Sequence, residues 1–171
     1  MDASLNLYHR IPDYPDHLSS TTVLVRMLDG LGFRFYWATE GLHSEDYAYR
    51  PAQDTMSIEE LVFHVWGLMN WVSSGALKKP YRKPKDGQTA REQTLIVIHD
   101  LREKILEIDE EELGKLRLLG KPFWNLINGP FSDALTHTGQ INSFRRLSGN
   151  PCAGANVFKG EPPPEKKAIK K

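Results

Sequence analysis

The chain has 171 residues, 40% of them hydrophobic, and its 22 Lys and Arg balance 22 Asp and Glu. A domain of that length buries roughly two-thirds of its unfolded surface, so no metal or disulfide is needed merely to fold it. Zero net charge leaves no basic field for nucleic acid or an anionic membrane, no stretch approaches about 18 apolar residues, and the N-terminus has no basic start followed by an apolar segment. We expect neither a nucleic-acid nor a membrane partner, and the single Cys152, which has no internal disulfide partner, fits a reducing, cytoplasmic setting.

Four helical patterns come after an N-terminal arm over residues 1–15. The first runs from Asp16 to Leu42 through Leu24, Leu28, Leu31 and Phe35, with Pro15 at its start. Gly30 and Gly32 weaken its middle by up to about 1 kcal/mol each relative to alanine, which predicts a bend or a close backbone approach. The second opens on Ser57 with Glu60 three residues later, a capping box, and ends near Gly75. After a Lys- and Pro-rich loop, Thr89 is placed to cap a third helix through Leu95, Ile98, Leu101, Ile105 and Ile108, and the acidic run Asp109–Glu112 frays it into a connection. The fourth begins at Phe123, kinks or restarts at Pro130, and runs to Leu147, with Arg145 and Arg146 in its last turn complementing the helix dipole and Gly149 at its C-cap. Residues 151–171 read as an extended or disordered tail, and no strand alternation stands out. The pattern specifies an all-α fold, with residues 16–150 as an antiparallel four-helix bundle.

On the fourth helix His137 interrupts an apolar stripe of Ala134, Ile141 and Phe144, and Asp133 lies one turn before it, so a carboxylate and an imidazole share one face. His64 borders the core face of the second helix with Leu61, Leu68 and Trp71. Two imidazoles and a carboxylate are ordinary donors for zinc or another divalent ion. Each has another reading: a core histidine bonded to a protein group, or a carboxylate facing a helix start after Pro130. Glu60 is a candidate to orient His64, although the capping box already accounts for it. Gln140, Asn142 and Asn128 have the chemistry to meet a ligand, with solvated or capping amides as the default. His9, His17, His43 and His99 read as surface residues, and Trp66, Trp71, Trp124 and Phe144 as core or mouth residues.

Arg50-Pro51 before a capped helix, Glu60-Leu-Val-Phe-His64-Val, and His137-Thr-Gly-Gln140 followed by Arg145-Arg146-Leu147 and Gly149-Asn150-Pro151 together resemble the DinB/YfiT-like family over residues 16–151. That resemblance implies a four-helix bundle of up-down-down-up topology with one long crossover, a homodimer, and a divalent-metal site of three histidines, usually for zinc or nickel. Two of these match His64 and His137, and the third falls on Asp133, a departure that changes the charge and softness of the site. The family includes transferases and an isomerase that depend on low-molecular-weight thiols. The expected function is therefore a divalent-metal-dependent thiol S-transferase or hydrolase acting on a small molecule. Its rival is a non-catalytic, stress-related binding or dimerisation module with a degenerate metal site.

Overall fold

The computed structural model describes residues 6–164. It is mostly helical, in keeping with the all-α expectation. Four long helices, α1 (Ser20–Thr39), α3 (Ile58–Ala76), α4 (Gly87–Leu106) and α7 (Ser132–Ser148), are accompanied by short ones, α2 (Ser44–Tyr47) between the first two, and α5 (Glu110–Lys115) and α6 (Trp124–Leu126) between the last two. Two-residue strands β1 (Arg117–Leu118) and β2 (Lys121–Pro122) pair antiparallel. No described helix is long and apolar enough to cross a membrane.

Side-chain caps decide where the helices begin, and several differ from expectation. The first helix starts at Ser20 rather than Asp16, because Ser19 and Thr22 satisfy each other's backbone N–H groups in a capping box; Pro15 lies outside. The expected box on α3 is present: Ser57 Oγ accepts from the Glu60 N–H and Glu60 Oε2 from the Ser57 N–H. On α4 the cap is Asp86, not Thr89, whose N–H and hydroxyl both donate to Asp86 Oδ1 at 2.7 and 2.6 Å. The acidic run does not fray. Asp109 Oδ1 accepts the Glu112 N–H at 2.7 Å and opens α5, whose acidic first turn faces its positive end.

The strand pair was not expected from the sequence. Leu119 and Gly120, both at positive φ (50° and 73°), turn β1 back into β2 as primed hairpin turns require. Pro130 neither restarts nor ends the last helix: a π turn over Ile127–Phe131 carries it, with the Ser132 N–H donating to the Ile127 carbonyl. Helicity then runs to Ser148, and Gly149 closes it at φ 89°.

The long helices share one core, which includes Leu28, Leu31, Phe35, Leu61, Met69, Ile98, Leu101 and Ile141. α4 packs on both α1 and α3, and α7 on both α3 and α1. The Gly87 N–H donates to Glu59 Oε1 at 2.9 Å, so the start of α4 lies at the start of α3; Glu110, just past α4, accepts from the Ser20 N–H at 3.0 Å. At the far end of α1 the buried Arg91 guanidinium donates to Thr39 Oγ1 at 3.0 Å and pairs with Glu40.

Arg145 lies in the last turn of α7 as expected, but its guanidinium does more than complement the helix dipole. It is 2% exposed, and its guanidinium donates to the Ala38 and Glu40 carbonyls at 3.2 and 2.6 Å and to the Asn150 carbonyl at 2.8 Å. It satisfies backbone acceptors at the end of α1, which otherwise have no intrahelical donor. Trp66 and Phe144 are buried or half-buried, but Trp71 and Trp124 are 42% and 69% exposed and lie outside the core.

Gly32 explains a close approach, though not by backbone. The Tyr8 ring from the N-terminal arm lies where a Cβ would be, 2.5 Å from its ideal position. His9, expected at the surface, is half-buried against Trp37, whose indole N–H donates to the His9 carbonyl at 3.2 Å. The Ile11 N–H donates to the Gly160 carbonyl at 3.0 Å, so the arm meets the segment after α7.

Candidate metal centre

α3 presents His64 toward α7, which presents Asp133 and His137 one turn apart. The π turn matters here: each inserted residue rotates the rest of the helix by about 100° around its axis, and the turn lies directly before α7. His64 Nε2 is 3.2 Å from Asp133 Oδ2, and His137 Nε2 is 3.3 Å from Asp133 Oδ1. The imidazole centroids are 4.5 Å apart with planes at 83°. One donor atom from each of the three residues falls within 4.8 Å of the others, and the cluster could hold a metal ion.

The donor set fits a divalent cation on two grounds. Ligands about 2.0–2.1 Å from a tetrahedral ion lie about 3.4 Å from one another, close to each imidazole–carboxylate separation, one to Oδ2 and the other to Oδ1. The second ground is the proton on His137. Its Nδ1 is 2.7 Å from Gln140 Oε1, so the Nδ1–H donates to that amide oxygen and a neutral ring turns its Nε2 lone pair toward the Asp133 carboxylate. Two acceptors facing each other at 3.3 Å need positive charge between them, either a proton on Nε2 or a cation. A second ring nitrogen tied to an amide or carboxyl oxygen is the usual support of a ligating histidine.

The alternative role of Asp133 as a helix-start charge does not hold in the structure. The chain is already helical for a full turn before Ser132, and the Asp133 carboxylate lies against the two imidazoles, hydrogen-bonded to His64 and 3.3 Å from His137 Nε2. Side-chain exposures of 35% for His64, 45% for Asp133 and 18% for His137 leave the cluster open on one side. His64 also lines a cleft of about 930 Å³ with Arg50, Phe63, Trp66 and Lys83.

The other candidates lie elsewhere. Glu60 is occupied by its cap and by Arg50 Nη2 at 2.7 Å, so it does not orient His64. Asn142 Oδ1 accepts from the Cys152 thiol at 2.9 Å, and Asn128 is exposed. Gln140 is the residue whose role sequence reasoning understated. Its three-residue spacing from His137 on a helix was the available signal.

The chain matches no family model, no curated protein and no solved structure.

Proposed function

We propose that the chain is a divalent-metal-dependent enzyme in which His64, Asp133 and His137 hold the ion and a small-molecule thiol or a water is the nucleophile. The observation that carries this reading is the convergence of two imidazoles and one carboxylate from separate helices. Zinc and nickel are the preferred ions for a site of two nitrogens and one oxygen. The open side favours catalysis over a closed structural site, which would take a fourth protein ligand.

We further read the four long helices as an up-down-down-up bundle of the DinB/YfiT-like kind. The Gly87–Glu59 bond supports a second and third helix running in parallel, and the Arg145–Ala38 bond supports a first and fourth doing the same. A cytoplasmic homodimer completes the proposal.

When bound, a divalent cation supplies Lewis acidity that makes a thiol or water acidic enough to ionise near neutral pH. The protein's own residues orient that chemistry. Gln140 holds the His137 proton on Nδ1, which keeps Nε2 a donor of electrons. Asp133 brings one negative charge where a third histidine would be neutral, lowering the net charge of the site. The cleft beside His64 offers the aromatic faces of Phe63 and Trp66 to a substrate's apolar part.

The test is metal analysis of protein purified without a histidine tag, followed by thermal denaturation with zinc, nickel or manganese. Binding at 100 times the dissociation constant stabilises the native state by about 2.7 kcal/mol. Asp133→His is expected to keep or tighten binding and Asp133→Ala to weaken it. With metal bound, transfer of a thiol to a model electrophile is expected to vanish in His64→Ala and His137→Ala while helicity persists. Less than about a tenth of an ion per chain, with no metal-induced stabilisation, refutes the metal. Activity surviving both histidine substitutions refutes the mechanism.

A further inference from the structure

On the side of α7 away from the metal cluster, Leu135, Thr138, Gly139, Asn142 and Arg146 form a second stripe. At about 100° per residue it is centred roughly opposite the Asp133–His137–Gln140 face. This stripe and the Arg34–Trp37–Ala38 face of α1 wall a groove of about 550 Å³, and residues 152–155 and 157 form its rim. That volume is within the range of small-ligand sites. The rim is held in place by the Cys152 thiol on Asn142 Oδ1, by the Asn156–Glu161 bridge, and by the Ile11–Gly160 hydrogen bond.

The charges in this groove are one-sided. Among the described residues its only ionised side chains at neutral pH are Arg34 and Arg146; no carboxylate lines it. Among the described residues neither guanidinium has an ion-pair or hydrogen-bond partner, in a chain whose other described arginines are mostly engaged, Arg26, Arg50, Arg91, Arg102, Arg117 and Arg145 among them. The floor is of another character: Ala38 and Thr138 are buried, and the Thr138 hydroxyl is spent on the Ala134 carbonyl. Trp37, Leu135 and Val157 add apolar wall. Small residues on the rim, Ala153, Gly154 and Ala155, leave room for an incoming group.

We propose that this groove is a second ligand site, distinct from the metal cluster, that takes a phosphate monoester carrying an apolar or aromatic body. A phosphate monoester is close to a dianion at pH 7, which matches two uncompensated guanidinium groups, each able to donate two parallel N–H bonds to its oxygens. A monocarboxylate uses only one of the two charges, and inorganic phosphate leaves the Trp37, Leu135 and Val157 wall uncovered.

The test is calorimetric titration of the full-length protein with phenyl phosphate, benzoate and inorganic phosphate in the presence of EDTA, so that a metal ion does not capture the anion. Phenyl phosphate is expected to bind saturably, at least tenfold more tightly than either of the others, and to weaken as salt rises. Arg34→Ala and Arg146→Ala are each expected to lower its affinity at least tenfold, and the double variant to abolish saturable binding. Both side chains are exposed, so the variants fold. His64→Ala is expected to bind phenyl phosphate like the unaltered protein, which separates this site from the metal reading. Absence of saturation, binding indifferent to the arginine substitutions, loss of binding in His64→Ala, or equal affinity for benzoate or inorganic phosphate would each overturn the proposal.

Discussion

Replacing Gln140 by leucine isolates the support of the metal cluster from the cluster itself. Gln140 is exposed, and its amide oxygen accepts the His137 Nδ1–H at 2.7 Å, so the substitution removes one acceptor and no ligand. Loss of such a supporting partner ordinarily costs 10–100-fold in metal affinity, which is about 1.4–2.7 kcal/mol. For a domain of this size each kcal/mol moves the melting temperature by about 2–4 °C, so the metal-bound variant should melt about 3–10 °C below the metal-bound parent. Without metal the two should melt together, because an exposed side chain with a single bond to a partly exposed ring contributes little to the fold. The assay is differential scanning calorimetry with and without zinc at a concentration above both dissociation constants. Equal metal-dependent increments in parent and variant would refute the role assigned to Gln140, and with it the inference that the His137 proton is held on Nδ1.

Arg145→Ala should lower stability by about 3–5 kcal/mol in chemical denaturation without changing metal affinity, since it leaves the Ala38, Glu40 and Asn150 carbonyls without their donor. Arg145→Lys should recover only part of that loss, because one ammonium does not span the same acceptors. Burial pushes the Asp46 carboxyl up, but the His43 N–H at 2.8 Å and the Asn150 amide at 2.7 Å outweigh it and leave the group below its ordinary value. A depressed folded value means the contribution is complete above about pH 4 and disappears as pH falls through the folded value. The stability difference between the parent and Asp46→Asn should therefore shrink on acidification from about pH 5 toward about pH 2, as read by urea denaturation at each pH. Gly32→Ala should cost about 1–3 kcal/mol by expelling the Tyr8 ring from its seat on α1, whereas Gly30→Ala, with open space around it, should be neutral or stabilising.

The parts of this molecule legible in its sequence are those set by local spacing. The Ser57–Glu60 box, the Asp133–His137 turn and the Gly149 stop each depend on residues within four positions of one another. Choosing among adjacent candidates proved harder: Asp86 and Thr89 are both competent caps, and the carboxylate prevails because it accepts from both the N–H and the hydroxyl of the threonine. The Asp109–Glu112 run looked like a break because like charges accumulate, yet those charges are favourable at a helix start. The β1–β2 pair is too short to show alternation at all. Arg145 was illegible for a different reason: its acceptors lie 105 and 107 positions away in sequence, and only packing of α7 on α1 brings them together.

The pairing of His64 with the Asp133–His137 turn depends instead on packing of α7 on α3, and it is reached by a helix that Pro130 interrupts. A proline within a regular α-helix removes one hydrogen bond and crowds the preceding turn, at a cost of about 3 kcal/mol. Here the wider π turn receives it, and the Ile127 carbonyl finds the Ser132 N–H and hydroxyl instead. A regular α-helix through Pro130 would carry the carboxylate and the imidazole to a different azimuth and away from α3. The local irregularity and the convergence of the three donors are thus one structural fact, and the α3-facing side of α7 is fixed by the residues before it as much as by the histidine it carries.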